Sequence, residues 1–523
     1  MAFGGIILGV FILLGLFLNH TKLFLNIGII FFLVLATYDF LQKKHAILRN
    51  FPALGRLRYL FELIRPEIQQ YFIANDEEEL PFSRERRSLV YQRAKKTLDS
   101  VPFGTRHIIT EEGYETAKHS LNPTHISEKE SRYNVGGPQC SKPYNASRLN
   151  ISAMSFGAIS KNAVMALNKG AKVGNFAHNT GEGGLSPYHL EEGGDIIWQL
   201  GTANFGARDK KTGRFDSAKF KDKSHHEQVK MIEIKLSQGA KPSHGGILPA
   251  AKITPEIAEI RGVHLGQDCI SPPTNPEFST PEGLLQFVAK LRELSGGKPV
   301  GFKLCIGIRS QFLSICKAML KTGIYPDFIT VDGAEGGTGA APLEFSNRLG
   351  EYIDDGLSFV HNSLVATGLR DKISIIASGK VITGFDVLTK IALGANLVNS
   401  ARGMMFALGC IQSLQCNRNT CPTGVATQNP FLVRGLVVED KYQRVANFHD
   451  ATIKSFLELA GAMGITHIDN IGAWDVYRRD ASGNNVSLAE IYPRLKPNAL
   501  IEQHADLPKD YVFHWNQAKA ESF

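Results

Sequence analysis

Asp327-Phe-Ile-Thr-Val-Asp332 runs straight into Gly333-Ala-Glu-Gly336-Gly337-Thr-Gly339, and Ile373-Ser-Ile-Ile-Ala-Ser378 runs into Gly379-Lys380, with Gly384 opening the next stretch. Ala395-Asn-Leu-Val-Asn-Ser400 then runs into Ala401-Arg402-Gly403. Each is a short β-branched or apolar run ending in glycine and followed by a segment of helical spacing, the pattern of a strand, a tight loop and a crossover helix. Outward from these three, similar runs occur at Leu149–Ser155, Lys172–Ala177, Met231–Lys235, Val263–Asp268 and Pro299–Cys305. Helices are expected between most of them, at Lys161–Gly170, Pro255–Arg261, Pro281–Ser295, Ser310–Thr322 and Phe385–Leu393. Thr280 is the expected N-cap of the helix that begins at Pro281. Eight strands in an α/β alternation predict a (β/α)8 TIM barrel. The rival doubly wound sheet lacks support, because no G-x-G-x-x-G follows any of these strands.

In such a barrel the loops after the strands share one face, and those after the seventh and eighth strands commonly hold phosphate. Glycine lets backbone N–H groups approach phosphate oxygens, and a helix N-terminus adds favourable partial charge. Single Gly-rich turns are usually structural. Three at the same expected edge point to a phosphate-bearing cofactor.

The second informative stretch is Cys410-Ile-Gln-Ser-Leu-Gln-Cys416-Asn-Arg-Asn-Thr-Cys421-Pro-Thr-Gly, spaced C-x5-C-x4-C. Three thiolates suit a three-iron cluster, whereas a four-iron cubane takes four. Zinc would need a fourth ligand, for which His449 is the available histidine at moderate distance, and free thiols are the remaining alternative. Cys140, Cys269, Cys305 and Cys316 are scattered and read as small buried hydrophobes. Cys410 follows Ser400 by ten residues, so the metal centre is expected beside the phosphate loops. An electron carrier next to a phosphate-bearing cofactor suggests flavin mononucleotide (FMN).

The chain has 523 residues, 43% of them hydrophobic and 21% charged, which excludes a mainly disordered or fibrous protein. Seven cysteines are too few for a disulfide scaffold. The net charge of +8 is modest for this length, and nucleic acid is not an expected partner. Phe3–Leu18 and Leu23–Tyr38 are uncharged apolar runs separated by Asn19-His20-Thr21-Lys22. They predict a two-helix transmembrane hairpin over residues 1–42. A cleaved signal peptide fits less well, since no charged segment precedes the first run and a second run follows at once. A buried soluble hairpin would have to cover both helices on every side. Lys43, Lys44, Arg49, Arg56 and Arg58 follow, so the positive-inside rule puts the rest of the chain in the cytoplasm. Residues 43–144 read as a connecting region, with helical spacing at Leu60–Phe72 and a basic helix at Ser83–Lys96. The barrel with its cysteine loop is expected over 145–430, and a helical extension packed on it over 431–523.

The segment Cys410–Pro430, together with Asn179-Thr-Gly-Glu-Gly-Gly184, Gln238-Gly-Ala-Lys-Pro242 and Gly336-Gly-Thr-Gly-Ala340, resembles the FMN-binding domain of glutamate synthase. The connecting region, with Pro81-Phe-Ser and Val101-Pro-Phe-Gly, is similar to the stand-alone, glutamate synthase-related branch. The resemblance implies FMN and a 3Fe-4S cluster on Cys410, Cys416 and Cys421. It implies that electrons pass through the cluster to FMN, which delivers hydride to the imine of 2-oxoglutarate and ammonia to give L-glutamate.

Carried onto this sequence, the resemblance puts Ser155 in the flavin-ring loop and Lys303 where it stabilises negative charge on the flavin. It places Gly336, Gly337, Gly379 and Arg402 at the FMN phosphate. Glu182, Gln238, Lys241 and Arg261 match positions around the oxo acid and the ammonia entrance, a lysine and an arginine being suited to a dicarboxylate. Where the family usually has a carboxylate and a glutamine after Lys241-Pro242, this chain has His244 and Ile247. That difference opens an alternative, an FMN/Fe–S oxidoreductase or amine-transferring enzyme on another substrate. The first cysteine is Cys140, so no glutaminase nucleophile is expected near the start. Ammonia would then arrive free or from a partner, and electrons from ferredoxin, a reductase subunit or a membrane donor. A non-catalytic membrane partner is the third reading.

Overall fold

The computed structural model describes residues 21–42, 44–97 and 99–523. They fall into two compact units, residues 1–85 and 86–523. In the first, helix α1 (Thr21–Leu41) contains the expected run Leu23–Tyr38; the partner run Phe3–Leu18 lies outside the described residues. At ~1.5 Å per residue α1 is about 31 Å long, the thickness of a bilayer's hydrocarbon core. By length and composition it is able to cross a membrane. Buried Asp39 near its end accepts hydrogen bonds from Ala53 N (3.1 Å), Arg56 Nε (2.8 Å) and an Arg56 terminal nitrogen (2.6 Å). Helix α2 (Gly55–Ile68) follows and continues into a π-helical turn, Gln69–Ile73. The basic helix expected at Ser83–Lys96 is α3 (Arg84–Lys95).

The second unit is built on a closed barrel of eight parallel strands. These are β1 (Leu149–Ile151), β2 (His178–Asn179), β3 (Ile196–Leu200), β4 (Val229–Lys235), β5 (Val300–Leu304), β6 (Phe328–Asp332), β7 (Ser374–Ser378) and β8 (Leu397–Ser400). Each pairs with its neighbour in sequence, and β8 closes on β1 with Val398 opposite Leu149. Crossover helices have local reasons to start. Ser160 Oγ accepts from Ala163 N at α4 (Lys161–Gly174), and Thr254 caps α5 (Pro255–Arg261). Thr280 caps α6 (Pro281–Leu294) as expected, accepting from Gly283 N at 3.0 Å. Thr383 and Asp386 form a capping box on α9 (Gly384–Ala392), which follows α7 (Arg309–Thr322) and α8 (Ile353–Ala366).

Two of the expected strands are corrected. Lys172–Ala177 is not a strand: α4 runs on to Gly174, exposing Val173, and only His178–Asn179 pairs in the barrel. Val263–Asp268 is loop, part of an excursion between β4 and β5 bounded by the antiparallel pair Ile247–Leu248 and Cys269–Ile270. The strand the sequence reading lacked is β3, Ile-Ile-Trp-Gln-Leu. Its Gln199 is polar because it faces inward and donates to buried Glu233 at 2.6 Å.

One end of the barrel is shut. A hairpin, Arg132–Val135 with Tyr144–Ser147, buries Val135, Tyr144 and Ala146 against Ala177, Ile197, Met231, Phe328, Ile376 and Leu397. Above that apolar layer Glu233 accepts from Asn179 (2.8 Å), Gln199 and Thr330 (2.7 Å), so the interior is filled by side chains. After β8 come α10 (Arg402–Leu408) and α11 (Val438–Ala462). Helix α11 packs on α4 and needs Gly170 there, since a Cβ would lie 2.8 Å from Tyr442 O and Val445. The only end left for ligand is the C-terminal one.

Candidate functional site

Every expected site residue lies at or just beyond the C-terminal end of a strand except Arg261, which comes from α5 in the excursion, and the three cysteines, which follow α10. Lys235, the last residue of β4, gathers the first group. Its Nζ donates to Glu182 Oε1 and to Gln238 Oε1, both at 2.6 Å. Glycines make room for the Glu182 carboxylate: a Cβ at Gly201 would stand 2.6 Å from Oε2, and one at Gly246 would collide with Oε1. Burial alone would push the Glu182 carboxyl up. The Lys235 ammonium, with the charges of Arg261 and Lys241, outweighs it and holds the group below the usual value.

Lys241 is buried and donates to Ala340 O at 2.7 Å. Burial, reinforced by the charge of Lys235, pushes its ammonium down to about 8. Arg261 donates to Ser155 Oγ (3.2 Å) and Phe156 O (3.0 Å), while its buried Nε has no partner. The structure thus brings Glu182, Gln238, Lys241, Arg261 and Ser155 together, and adds Lys235, which the sequence reading left unassigned. The signal was present: Glu233 and Lys235 are two residues apart on one strand and therefore share its inward face.

Lys303 lies beside this group, opposite Lys235 in the β4–β5 register. Its ammonium stands 3.3 Å from Asp332 Oδ2, which also accepts from Gly239 N at 2.8 Å. Beyond Asp332 the Gly-rich loops converge. Arg402 donates to Glu335 O at 2.7 Å, and a Cβ at Gly337 would stand 2.9 Å from Arg402 Nε. One at Gly379 would stand 3.2 Å from Glu335 Oε1. Gly336 N closes a turn on Gly333 O at 2.9 Å. Burial pushes the Arg402 guanidinium down to about 10, and also lowers Lys380 next to Gly379. Two cations disfavoured by burial beside glycine-rich loops make a setting that a phosphate dianion would stabilise.

The cysteine loop is held against the segment after β1. Gln428 Nε2 donates to Gly157 O (3.1 Å) and Ile159 O (2.9 Å), and Ser160 Oγ donates to Gly424 O (2.7 Å). These contacts hold the loop against the segment after β1 that carries Ser155. Buried Lys252 donates to the carbonyls of Cys416 (3.1 Å) and Ala426 (3.2 Å), so a cation backs the cysteines. Burial pushes the Cys410 thiol up to about 12 and raises Cys416. Among the described residues no three His, Cys, Asp or Glu side chains converge on a single-ion site. His449 is not with the cysteines: it bonds Ser147 Oγ and Leu149 O and stacks on Phe176 at 3.9 Å. The zinc alternative loses its fourth ligand. The segment that departs from the family pattern borders the site, since Gly246 against Glu182 lies between His244, which is edge-on to Phe345, and Ile247.

A family model described as a conserved region in glutamate synthase matches residues 109–466. The chain belongs to the glutamate synthase family. It is 38% identical over 502 residues to the glutamate synthase large subunit-like protein YerD of Bacillus subtilis, covering 88% of this chain and 95% of that one. The archaeal glutamate synthase (NADPH) of Methanocaldococcus jannaschii is 36% identical over 322 residues, 61% of this chain and 60% of the relative. Among solved structures, a flavocytochrome b2 mutant with pyruvate bound matches at a TM-score of 0.41 and 13% identity, over 88% of this chain and 93% of that one. That likeness is too loose to add to the family match. Membership in the glutamate synthase family makes the protein an oxidoreductase acting on CH–NH2 donors.

Proposed function

We propose that the protein is a glutamate synthase-like reductive aminase that makes L-glutamate from 2-oxoglutarate and ammonia with FMN and a 3Fe-4S cluster. The observation that carries this reading is the group Glu182–Lys235–Gln238 flanked by Lys241 and Arg261 at the open end of the barrel. FMN held there would supply the hydride that reduces the imine carbon. Gly336, Gly337, Gly379 and Arg402 would hold its phosphate, with Ser155 and Lys303 on the ring side. Cys410, Cys416 and Cys421 would hold the cluster, one thiolate per iron.

Arg261 and Lys241 bind the two carboxylates of the oxo acid through charge-assisted bonds and fix its keto carbon. Glu182, kept ionised by Lys235, takes a proton from incoming ammonium and so releases the nucleophile. Ammonia replaces the keto oxygen, which leaves as water with two protons from the nitrogen. The Lys235 ammonium gives a proton to the imine nitrogen on reduction and recovers one from Glu182, to which it is bonded. Gln238 holds Lys235 between them. Electrons reach the loop from a donor protein such as ferredoxin or a reductase subunit. Helix α1 is read as a membrane span, with the catalytic unit on the cytoplasmic side of the basic residues that follow it.

Anaerobically purified protein, given 2-oxoglutarate, ammonium and a reduced low-potential donor, is expected to form L-glutamate. No glutamate under these conditions contradicts the proposal. A second reading, another substrate on the same machinery, is favoured by Ile247, which offers no hydrogen bond beside Gly246 and Glu182. Under it, Ile247→Gln raises 2-oxoglutarate turnover sharply. Under the first reading turnover is unchanged or falls.

A further inference from the structure

We propose that α2 lies in the plane of a membrane, its apolar face in the boundary between lipid headgroups and acyl chains. The inference rests on the reading of α1 as a membrane span. At 100° per residue, Leu57, Leu60, Phe61, Ile64 and Ile68 fall within an arc about 100° wide. Their exposures are 48, 48, 60, 37 and 37%, so the first unit leaves this stripe uncovered. Arg56, Arg58, Glu62, Arg65 and Glu67 fall outside the arc. An apolar stripe flanked by charges on both sides, with Tyr59 and Leu63 as the exposed apolar residues outside it, on a helix of low overall hydrophobicity, fits an interfacial helix. At ~1.5 Å per residue its 14 residues reach only about 21 Å, short of the ~30 Å hydrocarbon core, and five charges forbid a second span.

What commits the stripe to lipid is the join to α1. Asp39 stands two residues before the end of that helix and binds Arg56, in the first turn of α2, through two nitrogens and Ala53 through its N–H. The first turn of α2 is thereby tied to the last turn of α1, at the depth where a span leaves the hydrocarbon. Arg58 and Arg65 sit at one edge of the arc, where long side chains reach back to headgroups while their stems stay apolar. Phe72, 84% exposed in the turn that follows, extends the apolar surface.

The test places p-benzoyl-phenylalanine at Phe61, Ile64 or Glu62 of the full-length protein in its membranes, with irradiation followed by intact-mass measurement and alkaline carbonate extraction. Lipid adducts at positions 61 and 64 and none at 62, on protein that resists carbonate, are expected. Adducts to a second copy or to another protein at 61 and 64 overturn the assignment while leaving the span intact. Lipid adducts at all three positions overturn the in-plane orientation. Protein that carbonate releases without lipid adducts overturns both. Released protein that still carries adducts at 61 and 64 alone removes the span and keeps the interfacial helix.

Discussion

Lys235 holds two acceptors at 2.6 Å and faces a second cation, Lys241, whose ammonium burial and Lys235 together destabilise. Charge at this end of the barrel is therefore shared among few atoms, and single substitutions have directional effects. Glu182 titrates below its unfolded value, so its stabilising contribution is complete at neutral pH and is lost as pH falls through the folded value. Lys235→Met removes the ammonium that holds it down. The carboxyl rises, the acid limb of kcat/KM moves toward neutrality, and kcat falls by about 10²–10⁴-fold. An unmoved acid limb would show that Glu182 is not the titrating group. Lys241 is protonated below about 8. A dicarboxylate that depends on its charge binds more weakly above that pH, so KM for 2-oxoglutarate rises there with little change in kcat. In Lys241→Arg, which keeps its charge, the rise disappears; a rise that survives assigns the effect elsewhere.

At the scale of elements, the decisive contact is between the cysteine loop and the segment after β1. Gln428→Leu leaves the Gly157 carbonyl without a donor, at a cost of about 1–3 kcal/mol if no water replaces the amide, and takes one of two donors from Ile159 O, which keeps Gly157 N. The variant is expected to keep its iron and flavin while electron transfer between them slows, as stopped-flow reduction of the flavin would record. An unchanged rate would mean that the docking does not set the distance between centres. This contact was not legible from the chain. Ten residues of spacing after Ser400 say nothing of the fold-back through Ser160, Lys252 and Gln428 that holds the loop against the segment after β1. The three strand–glycine units from Asp327 to Gly403 were legible because they are fully buried, β-branched and punctuated by glycine. Strand β3 was not, since an inward Gln199 serving a buried carboxylate looks like a polar interruption. Val263–Asp268 misled for the opposite reason: local apolar character with no neighbour to pair with outside the barrel. Lys235 was visible as a residue and silent as a role, because only the fold brings residues 182 and 238 to it.

The molecule as a whole has one closed end and one open end, and every group with a proposed role in the chemistry lies at the open end. The hairpin from Arg132 to Ser147 plugs the barrel below, and polar residues around Glu233 fill its middle. The proposed sites for oxo acid and cofactor phosphate are left to share the rim, the division of labour usual for barrels of this kind. In the proposed function Cys410, Cys416 and Cys421 would hold a three-iron centre, and His449, bonded to Ser147 and Leu149, is not placed to complete a zinc site. In that proposed function the same three cysteines would link the oxidoreductase chemistry of the family to an external electron source. The most direct test is the iron and flavin content of anaerobically purified protein, measured together with its absorption spectrum. Three iron atoms and one FMN per chain are expected, with iron lost and flavin kept in the triple Cys410→Ser, Cys416→Ser, Cys421→Ser variant. Colourless protein, or a triple variant indistinguishable from the parent, would contradict the account.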